Sequence, residues 1–410
     1  MEDYYSVYDL EMSVLRVLVG AEDRGMRVDL DYAVKMSEEY TEMVASNERY
    51  AEERWGININ SSPQLQEKMV ELGGEFSVFT PKGLPSVNQE QLERFSKTTK
   101  NDEVRELAEF VLKTRKIAKM NSSYFKNFIE MEQDGILHPT INTLAARTGR
   151  MSITNPALQT LHSSDSVIRN SFLPRNEGEI LVSCDYSQLE LRLMAIQSND
   201  QALIKAFREA DATGGDFFVE VGKTAYGEPD FQKSDPRRKK LKGFMYSFLY
   251  GASVDKMAKT LGVPLSEMKD TADKIGESFP GINKFMQNTI EEVESLERQG
   301  MEGHIKLPSG RKLPVDSGKA YTGVNFKLQG FGAELLKIAI MRLDSAGLGD
   351  YIQVPIHDEI VFSIPEDRID EFFPIIEDCM SFNSGEFPID LVAEPEVLGH
   401  RWGEAYENEG

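Results

Sequence analysis

The sequence predicts a mixed α/β protein in which strands from distant segments form one sheet platform and two helical blocks are inserted around it. Two observations carry that expectation. Apolar runs at residues 180–184, 353–356 and 360–364 have strand length, and each lies next to an acid, Asp185 or Asp358. Long stretches with helical periodicity occupy residues 9–53, 89–132 and 189–299. At 410 residues the chain is too long for one small core, so two or three subdomains are expected.

In chain order, residues 9–53 read as long amphipathic helix broken near Gly25-Met26-Arg27-Val28-Asp29. Residues 58–85 are broken and polar, with Ser61-Ser62-Pro63 expected to cap a short helix and Gly73-Gly74 to end it. Residues 89–132 read as helix, and 135–174 as a loop-rich approach to the strand ending at Asp185. Helices follow from Leu189 to about Gln299. A hairpin is expected from 301–307 and 312–315 around Pro308-Ser309-Gly310. A helix over 321–346 precedes a second hairpin, whose turn holds Asp358. No internal repeat or low-complexity tract interrupts this order.

Composition excludes several classes. No run of about 18 apolar residues is present, so no membrane partner is expected. The acidic start lacks the blocks of a signal peptide, and Cys184 and Cys379 make no disulfide framework or zinc site, which fits a reducing cytoplasm. The formal net charge of -22 argues against a nucleic-acid partner, but its distribution weakens that objection. Residues 1–54 carry 14 acids and 6 bases, residues 365–410 carry 13 and 2, and the middle is nearly balanced. Within the middle, Lys113, Arg115, Lys116, Lys119 and Lys126 form one acid-free basic stretch, and residues 233–242 hold six bases against Asp235 alone. Such local patches decide phosphate contact, although each also reads as a solvated helix face.

Two short stretches carry the chemistry. Cys184-Asp185-Tyr186-Ser187-Gln188-Leu189-Glu190 and Ile356-His357-Asp358-Glu359 each place a carboxylate at a strand end, held by stiff backbone yet facing solvent. Two such acids on neighbouring strands repel unless cations lie between them, an arrangement that suits Mg2+ with phosphate oxygens and so phosphoryl or nucleotidyl transfer. A helix from Pro236, capped by Asp235, carries Arg238, Lys242, Tyr246 and Tyr250 at every fourth position. That row drifts about 40° per step and forms one slanting stripe, cationic first and aromatic later. A triphosphate can lie on the first half, aided by the helix's positive end, with a base stacked beside the second.

Together these residues resemble the family A DNA polymerases. Residues 185–192 resemble the family's motif A, Arg238 through Tyr250-Gly251 its motif B, and His357-Asp358-Glu359 its motif C, in the family's order. Thr148-Gly149-Arg150-Met151-Ser152, Asn155 through Gln159, Asn325 with Gln329-Gly330, and Trp402-Gly403-Glu404-Ala405 add to the match, which covers essentially the whole chain.

The resemblance implies a right-hand fold with an antiparallel palm sheet and helical fingers and thumb. It divides the chain into a palm-associated segment (1–29), thumb (30–135), palm (136–197), fingers (198–315) and palm again (316–410). It implies template-directed addition of dNTPs to a primer 3'-hydroxyl. Two Mg2+ ions, for which Mn2+ can substitute, would be held by Asp185, Asp358 and the Tyr186 carbonyl, with Glu359 in support. Arg238 and Lys242 would bind the triphosphate, and Lys242 would serve as acid for the leaving pyrophosphate. Tyr246, Glu190, Tyr186 and Gln188 would shape the nucleotide pocket, Glu190 excluding a ribose 2'-hydroxyl. Arg150, Gln159, Tyr250, Asn325, Gln329, His357 and Lys119 would contact DNA. Cellular relatives mostly carry Phe where this chain has Tyr246, and Tyr resembles the phage replicative branch.

The expected partners are primer-template DNA, dNTPs and replication accessory proteins, with the chain itself a cytoplasmic monomer. The first helix begins close to residue 1, so no proofreading exonuclease is expected. Two departures stand out: Phe218 where the family places a triphosphate-contacting His, and Pro355 in the strand before motif C. Competing readings are a single-subunit RNA polymerase, which Glu190 disfavours, and an inactive DNA-binding scaffold, which retention of the acids and cations disfavours.

Overall fold

The computed structural model describes residues 6–161, 165–249, 251–383 and 385–406. Its centre is a four-stranded antiparallel sheet in the order Ala393–Gly399, Glu179–Tyr186, Glu359–Pro365, Ile352–Ile356. The long inner strand begins at Glu179 opposite Pro365 and ends with Asp185 opposite Glu359. Its residues 180–184 are all buried, because the strand has neighbours on both edges and helix Ile369–Met380 packs against the sheet. The strand, expected to end at Asp185, runs one residue further to Tyr186.

Pro355 is accommodated by position. Strand Ile352–Ile356 lies at the sheet edge and pairs only with Glu359–Pro365, so the missing N–H can face away from the ladder. The expected break near Gly25 is present: helix Val7–Arg24 gives way to Met26–Arg27, and helix Leu30–Trp55 starts at Asp29, whose carboxylate accepts from the Tyr32 N–H at 2.9 Å. Ser61 stands at the cap position of Ser62–Glu71, but its side chain makes no capping bond.

The 89–132 stretch divides into Gln89–Thr98, Asp102–Met120, a π-helical turn Asn121–Phe125 and Lys126–Met131. Residues 135–174 hold more structure than expected, with short strands Thr140–Asn142 and Ser152–Thr154 paired antiparallel. Among the described residues from Leu189 to Arg298 the chain is helical in seven segments. The hairpin follows as His304–Lys306 with Lys312–Pro314, and then helix Thr322–Ser345.

The apolar residues gather in three cores. The largest surrounds the sheet and its helices, a second lies within residues 51–111, and a third joins Val293 to the 304–315 hairpin. No helix among the described residues is long and apolar enough to cross a membrane.

Candidate active site

The sheet brings the two acid-bearing stretches together. Asp185 and Glu359 are direct cross-strand partners, and Asp358 occupies the two-residue turn between strands Ile352–Ile356 and Glu359–Pro365. His357, the other turn residue, is held at φ +55°, a conformation that side-chain-bearing residues rarely adopt. Its Nε2 lies 2.9 Å from the Gln159 carbonyl oxygen, which anchors the turn to the segment before the sheet. Gln159 serves the same anchoring: its Nε2 donates to the Met151 carbonyl at 2.8 Å.

Charge makes this cluster costly. Asp185 faces solvent at the sheet's end, yet surrounding protein, Glu359 and Asp358 push its carboxyl up to about 7, against the opposing pull of the Tyr186 N–H. Burial also raises Asp358, with Glu190 adding repulsion while Arg150 and His357 oppose it. Burial raises Glu359 as well, offset by Arg169 and a hydrogen bond from Ser183. Three acids held above their ordinary range in one cleft form a site that a divalent cation would relieve.

This is a physical fit between the residues present and Mg2+ or Mn2+. Among the described residues no group of three or more His, Cys, Asp or Glu side chains is arranged as a metal cage. The expected ligand set asks for less, two carboxylates and a backbone carbonyl.

The raised carboxyl of Asp185 has a consequence for stability. Its favourable contribution to folding is fully present below the ordinary value of 3.8 and is lost as pH rises through about 7, because the unfolded chain ionises first. In chelator, Asp185→Asn should therefore lessen the fall in melting temperature between pH 4 and 7, as read by calorimetry. An unchanged slope would show that the group titrates normally.

Arg150 closes the cluster from above. Its Nη2 donates to Glu190 Oε1 at 2.9 Å and to Asp358 Oδ1 at 3.3 Å. Arg150, expected to contact DNA, thus stands as a counter-cation to two of the acids. Glu190 sits in the first turn of helix Leu189–Ser198, with its side chain only 11% exposed. Gln188 caps that helix at φ +54°, and its Oε1 is buried without a hydrogen-bond partner among the described atoms.

Helix Pro236–Leu249 supplies the opposite wall. Asp235 Oδ1 accepts from the Arg237 N–H at 2.8 Å, the capping role expected of it. Tyr246 lies close enough to the acids that, after burial, Glu190 and Asp185 raise its hydroxyl. Its ring packs 6.2 Å from Phe218, the residue standing where His was expected. Arg238 is not open: its Nε donates to Asp216 Oδ1 at 3.0 Å, its Nη2 bonds Oδ2, and its guanidinium lies 5.8 Å from the Phe218 ring centroid.

Asp216 also caps helix Phe217–Tyr226, and these bonds hold its carboxyl below the usual range despite burial. Sequence reasoning passed over Asp216 as a partner; the Gly-Gly-Asp run before an apolar helix was the available signal. Lys242 is exposed and makes no ion pair among the described residues. Tyr250 lies outside the described residues.

Asn325 and Gln329 lie on helix Thr322–Ser345, half-buried, beside the turn that carries Arg150: a Cβ on Gly330 would sit 3.1 Å from the Thr148 carbonyl oxygen. Lys119 stays apart from the cluster, exposed on helix Asp102–Met120, together with Lys113 and Lys116.

Comparison with known proteins points to one family. The sequence profile of DNA polymerase family A matches residues 30–404. A DNA polymerase of Mycobacterium phage D29 is 30% identical over 385 residues, spanning 93% of this chain and 61% of that protein. A thermostable DNA polymerase I of Thermus aquaticus is 28% identical over 422 residues, spanning 97% of this chain and 48% of that protein. Among solved structures, the POL domain of Pol1 from M. smegmatis in complex with DNA primer-template and dNTP aligns with a TM-score of 0.81 and 25% identity, covering 96% of this chain and 70% of that one. The chain thus spans less than two thirds of either sequence relative.

Proposed function

The chain belongs to DNA polymerase family A, and we propose from that premise that it is a template-directed DNA polymerase, adding dNTPs to a primer 3'-hydroxyl and releasing pyrophosphate. The observation that carries the reading is the acid cluster: Asp185 paired with Glu359, Asp358 in the adjoining turn, and the Asp185 carboxyl raised to about 7. Asp185, Asp358 and the Tyr186 carbonyl are the residues that would hold two Mg2+ ions, or Mn2+ in their place. When bound, such ions make a 3'-hydroxyl more acidic and neutralise triphosphate charge.

The chain's own side chains do the rest. Lys242, exposed on the Pro236–Leu249 helix, binds the triphosphate and donates a proton to the departing pyrophosphate. Arg238 exchanges one anion, the Asp216 carboxylate, for another, a phosphate. Arg150 leaves Asp358 for the minor groove, where Asn325 and Gln329 join it; acceptors at N3 or O2 are common to every base pair there, which suits a check of pair shape. Gln159 and His357 hold the segments beside the primer end. Lys119 and its neighbours grip duplex backbone, so binding should weaken as salt rises. In this reading residues 30–135 are the thumb, 198–315 the fingers, 136–197 and 316–410 the palm, and 1–29 a segment packed on the palm.

Tyr246 supplies a further test. Its hydroxyl can replace the hydrogen bond that a missing 3'-hydroxyl would make. Tyr246→Phe should therefore reduce dideoxynucleotide incorporation relative to dNTP by about 2- to 10-fold, the worth of one neutral hydrogen bond. Equal ratios in competitive extension gels would remove that role.

The reading as a whole is tested by extension of a primed DNA template with dNTPs, with and without Mg2+, and with rNTPs in parallel. Metal-dependent dNTP extension supports it. Preferential rNTP extension favours a single-subunit RNA polymerase, and no extension with retained DNA binding favours a scaffold.

A further inference from the structure

Beneath the Arg150 turn lies a group of four buried charges that the chemistry above does not use. Glu11 comes from helix Val7–Arg24, Arg311 from the hairpin loop, and Glu334 and Lys337 from helix Thr322–Ser345. Their side chains are between 1% and 11% exposed. Arg311 and Lys337 both bond Glu11 Oε1, the lysine at 2.5 Å, and Arg311 Nε lies 3.7 Å from Glu334 Oε1. Lys337 Nζ also donates to the Thr143 carbonyl at 3.0 Å, and the Ser309 hydroxyl donates to Glu334. Two acids and two bases close the set without net charge.

Desolvating four charges is a poor route to stability, since apolar residues of similar size commonly serve as well or better. The set does give geometry. The Arg311 side chain runs alongside Gly149: a Cβ built there would be in ordinary van der Waals contact, 3.5 Å from Cδ and 3.6 Å from Nε. Gly149 itself is at φ +78°, a conformation that side-chain-bearing residues rarely adopt. From the same side, Arg147 Nη2 donates to the Pro314 carbonyl at 2.9 Å, and Gly330 abuts the Thr148 carbonyl. The 147–149 backbone is therefore seated on the hairpin and the long helix, and the next residue is Arg150, which reaches Glu190 and Asp358.

We propose that the buried Glu11–Arg311–Glu334–Lys337 tetrad is a positioning device that sets where the Arg150 guanidinium stands, making helix Val7–Arg24 part of the catalytic unit. Arg311 is a positioning residue: it acts through the Gly149 backbone and touches no substrate. The proposal rests on the polymerase reading for its readout, which is nucleotide addition.

The test is a double-mutant cycle between Arg311→Gln and Arg150→Ala, read as single-turnover dNTP incorporation on primer-template at a temperature where circular dichroism shows all four proteins folded. Arg311→Gln should slow incorporation about tenfold with nearly unchanged apparent dNTP affinity, but less than about twofold when Arg150 is already Ala, because coupled residues do not lose independently. Arg311→Lys should recover part of the rate. If Arg311→Gln does not fold, Glu11→Gln carries the same cycle.

Losses that multiply, or a lowered melting temperature with an unchanged rate, would overturn the proposal and leave the tetrad purely structural. A wild-type chain that fails to extend primers overturns the polymerase reading as well; an active wild type with independent losses overturns only this inference.

Discussion

Asp185→Asn is expected to lower single-turnover primer extension by at least about 10³-fold while leaving primer-template affinity within a few-fold of wild type. The magnitude follows from the charge stabilisation of several kcal/mol that a catalytic cation contributes, with each 1.36 kcal/mol worth tenfold. Asparagine keeps the shape and one oxygen but removes the charge. The remaining cluster should fold more comfortably, because Asp185 and Glu359 face each other across the strands and Asp358 adds to the repulsion. Loss of activity together with a stable or stabilised fold is therefore the signature; a variant that merely unfolds would lose binding too. Filter binding and quench-flow on one preparation separate the outcomes, and retained extension would mean that Asp185 is not a ligand.

The second large effect is expected at Glu190. This carboxylate is nearly buried, fixed in the first helical turn and bonded by Arg150, so it occupies its volume rather than sampling it. A fixed side chain can exclude a substrate group of about one hydroxyl's size, and discrimination of that kind is worth roughly 10- to 200-fold. Glu190→Ala should raise the rNTP/dNTP incorporation ratio by about that factor. The absolute dNTP rate should fall less, because a deoxyribose carries no 2'-hydroxyl for Glu190 to exclude. An unchanged ratio in paired incorporation assays would assign the sugar check to another residue.

Much of the candidate site's local geometry could be read from the chain because its residues lie in short runs that also define strands and caps. The run 180–184 ending in Asp185, the turn at His357-Asp358 and the cap at Asp235 all depend on local sequence, and all stand where local physics puts them. The boundaries were less legible. Strand pairing with Ala393–Gly399 carries the ladder through Tyr186, which periodicity alone does not reveal.

The π-helical turn at Asn121–Phe125 has no local breaker; Asn121 there donates to the Ser37 carbonyl at 3.0 Å, a partner 84 positions away. For Asp216 the local sequence signals the helix cap but not its pairing with Arg238, and the buried tetrad has no local signal at all. Glu11 meets residues 300 and 326 positions distant, so only the folded topology juxtaposes them. Ser61 shows the opposite failure: the cap motif is present, but no capping bond forms.

The proposed cation site at the sheet's end requires Asp185 and Asp358 together. Its most direct test is Mn2+ uptake, followed by electron paramagnetic resonance, with a dideoxy-terminated primer-template and the next dNTP present. The wild-type complex should hold two Mn2+ ions at the site, at least one more than the same free nucleotide and DNA take up, and both Asp185→Asn and Asp358→Asn should bind fewer. Equal uptake by all three proteins would contradict the account.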